Sequence, residues 1–330
     1  LTRVLALPGF MLLATAANAV SFAEQNSRLF RELEETHRLT DSQMSELRRI
    51  FERSGFAGQG NPEIARHPVS TQQCHDKLGE RQSGYADAGF EEICGARYMA
   101  PLYDPRTQKP EDATACIDQF EFPDIPCTYP VVWTKAAEAA QICAAMGKRL
   151  CDAHEWEGSC AGALEPPDYR FDLAAGQSAS GAVSRMRNAH NSKYDATKNW
   201  SYGPAYQRGI CAAGSRKSAT CGGGGYNSCG SNTYPTGSFP GCKSSLGVYD
   251  VNGNAAEHMN LPLTPDQMAS RGSTKLGVTE MKGSWFIFDS YRAHPDWCRW
   301  RAPYWHGSRV MSPSSHENYH LGFRCCKTLD

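Results

Sequence analysis

Residues 136–157 read AAEAAQICAAMGKRLCDAHEWE, and no other run decides as much about the fold. Ala136, Ala137, Ala140, Ile142 and Cys143 mark one side of a helix spanning Trp133 to Gly147. Gly147 stops it, because glycine accepts the left-handed backbone of a helix end. Asp152 then caps a second helix, with Glu155 three residues on at the spacing of a capping box.

Upstream, residues 116–123 (CIDQFEFP) alternate apolar and polar and end at proline, the pattern of a strand. Residues 20–56 read as a helical arm. Phe22, Leu29, Phe30 and Leu33 recur at helical spacing, as do Met44, Leu47, Ile50 and Phe51 after a cap at Thr40 or Asp41, and Gly55 is the stop. Residues 57–89 read as a linker or extension, rich in Gly, Pro and polar residues, before a main domain over 90–330. Residues 165–245 are dense in Gly, Ser, Asn and Tyr and predict loops. The run CGGGGY at 221–226 lacks the Lys-Ser/Thr of a phosphate loop.

The 330 residues carry a net charge of −1 and no long basic run, so neither nucleic acid nor an acidic membrane surface is an expected partner. The fourteen cysteines include no Cys-x-x-Cys knuckle, which excludes a zinc ribbon and suits up to seven disulfides in an oxidising compartment. The adjacent Cys325 and Cys326 are expected to bridge elsewhere. Arg3, the apolar run Val4 to Ala17 and the small-x-small triplet Ala17-Asn18-Ala19 read as a signal peptide over 1–19, with a buried N-terminal helix as the alternative. No second apolar stretch reaches spanning length, so the mature chain is expected to have no transmembrane segment and to be secreted or periplasmic.

Four segments occur in the order found in the formylglycine-generating-enzyme, or sulfatase-modifying-factor, family. Residues 116–121 (CIDQFE) resemble its opening strand. Residues 136–157, with GKRL and EWE, resemble its helix, turn and second helix. Residues 247–257 (GVYDVNGNAAE) are similar to its Gly-Asn-Val-Trp-Glu segment, with Ala256 in place of the usual tryptophan. Residues 282–285 (KGSW) and 321–325 (LGFRC) resemble the closing strands. The resemblance covers roughly 90–330. It implies an α+β fold related to C-type lectin-like folds, low in regular structure and rich in disulfides. It also implies the bridges Cys143–Cys325 and Cys160–Cys298, each closing a long loop.

One departure from the family is chemical. Its oxidases hold copper between two cysteines five residues apart, and soft thiolates suit cuprous ion. Here Phe288 and Ala293 fall at those places, and Cys298 has the structural role just given. Copper-dependent formylglycine formation is therefore not expected. By the same resemblance Asp250, Gly253, Ala255 and Glu257 match calcium-binding positions, and carboxylates with backbone carbonyls suit that hard cation. A turn bonded to its own backbone is the alternative.

Residues 316–320 spell HENYH, the H-E-x-x-H of zinc hydrolases, but the strand that follows leaves no room for the required helix or for a third ligand. His294, His306, His316 and His320 lie where the family forms its cleft, with Arg292, Arg299, Arg301, Tyr291, Trp297, Trp300, Tyr304 and Trp305. Three functions fit this segment. One is a cleft that binds or modifies a peptide, glycan or small molecule without copper. A second is a non-heme iron oxidoreductase like the pyoverdine-maturation branch, using those histidines. The third is a non-catalytic envelope recognition or scaffold protein.

Overall fold

The computed structural model describes residues 20–222, 224–304 and 307–329. The signal-peptide reading over 1–19, and Trp305 and His306, lie outside these residues.

Helices α1 (Phe22–His37) and α2 (Asp41–Ser54) form the arm. Ser21 caps α1 and Thr40 caps α2, each accepting a hydrogen bond from the backbone N–H three residues on, and Gly55 ends α2 in the left-handed region. The arm is not an appendage. Leu29, Phe30, Leu33, Met44, Leu47, Ile50 and Phe51 share one core with Ala136, Ala139, Phe122, Val131 and Phe323 of the main body. Residues 57–112 carry more structure than their composition suggests. They hold α3 (Thr71–Leu78), α4 (Ala88–Cys94) and β1 (Met99–Leu102), with Ser70 and Asp87 as caps. The helices are too short to show a period, and the bridges Cys74–Cys127 and Cys94–Cys116 hold them down.

Strand β2 (Ala115–Asp118) is followed by α5 (Ala136–Ala145), β3 (Arg149–Leu150) and α6 (Ala153–Ala161). The Asp152 N–H donates to Glu155 Oε2 at 2.8 Å, so the second helix starts where its sequence places it. Two helices, α7 (Phe171–Ala174) and α8 (Ala179–Tyr194), stand where the composition predicts loops. The buried stripe of α8, Ala182, Val183, Met186, His190 and Tyr194, is masked in the sequence by the Ser, Asn and Arg between its members.

Strands β4 (Ala256–Leu261), β5 (Val278–Lys282), β6 (Leu321–Phe323) and β7 (Cys325–Thr328) complete two small sheets. One has the order β1-β2-β7-β3 and the other β5-β4-β6, with β4 and β6 parallel. Seven disulfides staple the whole: the two above with Cys143–Cys325, Cys151–Cys326, Cys160–Cys298, Cys211–Cys242 and Cys221–Cys229. The adjacent cysteines of β7 thus tie the end of α5 and the start of α6 to one strand. Among the described residues, no helix is long and apolar enough to cross a membrane.

Two histidines make the arm and its neighbour sensitive to acid. His37 Nε2 lies 2.9 Å from the Pro123 carbonyl, and His67 stacks on Tyr129 with Nδ1 2.9 Å from the Thr233 carbonyl. Burial takes His37 down to about 3, aided by the Lys148 charge and opposed by the carbonyl. Burial likewise takes His67 to about 4. Both folded values lie below the free value, so this stability is complete above about pH 6.5 and drains as pH falls toward 3–4. The stability advantage of wild type over His37→Gln/His67→Gln should therefore shrink between pH 7 and pH 5, by at most about 2 kcal/mol per histidine. Urea titrations at the two pH values measure it, and a constant difference refutes it.

Candidate functional site

The segment after β5 carries the side chains that the resemblance places in the family's cleft. Gly283 turns the chain with a positive φ of 72°, and Ser284 to Phe288 run back buried against the body. Trp285 is the organising side chain. His320, just before β6, stacks on it at 4.4 Å, and His294 lies 5.4 Å away while stacking parallel on Trp300 at 4.9 Å. Two of the four cleft histidines therefore meet on one indole. Burial lowers the pKa of His294, and its Nδ1 is 2.6 Å from the Pro295 carbonyl. His316 Nε2 lies 3.3 Å from the Asn318 amide, and residues 316–320 form no helix. The zinc-hydrolase geometry is absent from that segment.

The outer wall is polar and aromatic. Arg292 is exposed and lies over the Tyr206 ring at 3.9 Å, and Tyr206 donates a short hydrogen bond to Asp289. Trp200 Nε1 and Ser284 Oγ both donate to Asp296, at 2.7 and 3.1 Å. Phe288 is buried and Ala293 exposed at the two places that the resemblance gives to copper ligands. No cysteine among the described residues is free, and Cys298 is bonded to Cys160. The soft donors for cuprous ion are therefore missing from this cleft.

Arg301 is not a cleft residue. It is 1% exposed, and its guanidinium donates to Glu157 at 2.9 Å and to Asp168 at 2.9 Å. Lys282 Nζ completes the cluster with Glu157 at 2.7 Å, Glu280 at 2.8 Å and the Trp300 carbonyl at 2.9 Å. Among the described residues, Glu157, Asp168 and His190 form the one group with metal-binding spacing, yet two cations already occupy those carboxylates. Burial raises Asp168, but the His190 hydrogen bond and Arg301 outweigh it and hold it near 2. The group is an ion-pair network beneath the cleft, positioning Trp300 through its carbonyl. Sequence reading missed it because nothing in the spacing of 157, 168, 190, 282 and 301 brings them together.

The loop before β4 is equally committed. Arg324, fully buried, donates to both oxygens of Glu257 and to the carbonyls of Asp118, Gln119 and Tyr249, which engages all three of its guanidinium nitrogens. Trp156 Nε1 adds a further bond to Glu257 at 2.7 Å. Asp250 accepts from the Gly237 N–H at 2.6 Å, and Glu121 accepts from the Ala255 N–H and Asn254 at 2.6 Å. Burial raises Asp250 to about 7 against the pull of the Gly237 N–H and Arg324. Of the four positions read as calcium ligands, Glu257 is turned to Arg324 and does not fit an ion without breaking that pair.

A disulfide-stapled α+β domain with two small sheets and long tied-down loops defines a formylglycine-generating-enzyme-like fold. A family model described as the sulfatase-modifying factor enzyme 1-like domain matches residues 63–329, and the chain belongs to that family. Its match begins beyond the arm and takes in the extension that contains α3. No curated protein matched the sequence. Among solved structures, that of CarF overlays with a TM-score of 0.28 at 14% identity, covering 79% of this chain and 84% of CarF. So loose an overlay supports no inference about function.

Proposed function

We propose that this chain is an exported member of its family that binds, or modifies without copper, a peptide or small-molecule ligand in the cleft of Trp285, His294, Trp300 and His320. One observation carries the reading. Every cysteine is consumed in a disulfide, so the segment that answers to the family's cleft holds a packed cluster of aromatic and imidazole rings where the oxidases need two thiolates. Stacked rings with an exposed Arg292 suit a ligand with a planar or sugar face and an acidic group. Seven disulfides support export, since reducing compartments keep thiols free.

Calcium at Asp250, with the carbonyls of Gly253 and Ala255, stays within this proposal. What supports it is that three buried acids, Glu121, Asp250 and Glu257, face one guanidinium. A calcium-dependent rise in melting temperature over a chelator control tests it, and unchanged melting removes it.

The main reading is tested with purified, oxidised protein, copper and a cysteine-containing peptide under oxygen and a mild reductant. Cuprous ion should not be retained against a competing chelator, and the peptide cysteine should stay unoxidised to formylglycine. Stoichiometric copper or an aldehyde product overturns it. Ligand screening by tryptophan fluorescence should give hits that Trp300→Ala weakens at least about tenfold, the scale of one lost aromatic contact.

A further inference from the structure

A cavity of about 500 Å³ opens between the start of α6, residues 164–167 and residues 268–271, and it shares no residue with the cluster around Trp285. Ala115, His154, Glu155 and Met268 are the buried part of its wall. Thr107, Gln108, Thr114 and Thr328 form an exposed polar rim.

His154 is 7% exposed, and its tautomer follows from its neighbour. The Tyr169 hydroxyl oxygen lies 3.0 Å from the His154 backbone nitrogen and 3.0 Å from its Nδ1. The oxygen accepts from the backbone N–H, and its single hydrogen goes to Nδ1. The opposite arrangement would strand a hydroxyl hydrogen in a buried place, at a cost. The imidazole proton is therefore on Nε2. Tyr169 is no part of the cavity wall, so the ring turns its Nδ1 edge away from the space and leaves it the Nε2 edge. Among the described residues Nε2 has no hydrogen-bond partner. It is the one side-chain donor on the buried part of the wall.

The charges of the wall select against ions. Two nitrogens of Arg149 hold Glu155 at 2.8 and 2.7 Å, and Arg106 holds Asp104 at 2.8 Å. Glu165 accepts from Tyr194 at 2.9 Å and from Arg106 at 3.3 Å. A cation finds each carboxylate already paired. An anion meets three carboxylates against one exposed arginine in the wall, Arg271. The space suits an uncharged molecule with an oxygen acceptor and a small apolar group at one end and hydroxyls at the other.

We propose that this cavity binds an N-acetylated amino sugar, its acetamide carbonyl accepting from His154 Nε2–H. The acetyl methyl lies against Ala115 and Met268, and the ring hydroxyls meet the threonines and Gln108 of the rim. A peptide carries the same amide but no ring of hydroxyls for that rim.

The test uses the full oxidised protein and calorimetric titration with N-acetylglucosamine, glucose and N-acetylalanine methylamide. N-acetylglucosamine should bind saturably and about tenfold more tightly than glucose, the scale of one hydrogen bond with one buried methyl. His154→Phe keeps a ring without the donor, so it should erase that preference, whereas Trp300→Ala should leave it unchanged. Nitrogen NMR of labelled histidine in the wild type needs no variant. It should place the His154 proton on Nε2 and show that signal moving as the acetylated sugar saturates. Absence of saturable binding, equal affinity for the two sugars, a preference that survives His154→Phe, or a proton on Nδ1 each overturns the site. Tighter binding of N-acetylalanine methylamide than of the sugar overturns the sugar assignment and leaves a peptide amide as the ligand.

Discussion

Alanine at Cys143, Cys151, Cys325 and Cys326 together should destabilise the protein by about 6–7 kcal/mol, whereas alanine at Cys143 and Cys325 alone should cost only about 3 kcal/mol. The separations of 182 and 175 residues suggest two large and independent loops, but the loops are nested. With Cys151–Cys326 intact, opening Cys143–Cys325 frees eight residues on one side and one on the other. Only with both open does the loop grow, and Cys160–Cys298 still limits it to roughly forty residues by the shortest covalent path. The measure is denaturant unfolding of the two variants under oxidising conditions. A cost of about 5 kcal/mol for opening Cys143–Cys325 alone, the value for an independent loop of 182 residues, would refute the shared-loop account.

The nesting was half visible in the sequence. The resemblance paired Cys143 with Cys325 and Cys160 with Cys298, and adjacent cysteines were expected to bridge apart. The role of Cys151 was not readable, because its pairing depends on β3 lying beside β7, a contact 175 residues apart. Local signals did better. Thr40, Gly55, Asp152 with Glu155, and Gly147 each act through neighbours within four residues, and the helices end where they say. The strand read over 116–123 pairs only through Asp118. Beyond it the backbone makes only scattered bonds, Gln119 to Tyr98 and Tyr249 and Phe122 to Phe323, and the Asp118 and Gln119 carbonyls also accept from Arg324, 206 and 205 residues away. In the segment that answers to the family's cleft, residue types gave candidates but not their sorting. His294 and His320 meet at Trp285, while Arg301 joins Lys282 on Glu157 and pairs with Asp168, so its charge is spent in the buried network.

The same reasoning gives Arg324 the largest effect of any single side chain here. Arg324→Met should cost about 3–5 kcal/mol, the scale for breaking a buried ion pair from one side. The methionine fills much of the space, so the loss is electrostatic. Glu257 would keep only the Trp156 hydrogen bond, inside a site that also holds Glu121 and Asp250. Three backbone carbonyls would each lose the arginine donor as well, though Gln119 keeps the Tyr249 N–H. If the uncompensated carboxylate dominates, adding Glu257→Gln to Arg324→Met should restore about 2 kcal/mol, since a neutral amide can still accept from Trp156. Arg324→Lys should fall between, because an ammonium has three donors for five acceptors. A double variant no more stable than Arg324→Met would assign the loss to the carbonyls instead. The calcium proposal meets its sharpest trial in the same protein. With the guanidinium gone, Glu257 is released toward the loop of Asp250, Gly253 and Ala255, and calcium should stabilise Arg324→Met more than wild type. An equal response in both would mean that Glu257 is no part of any ion site.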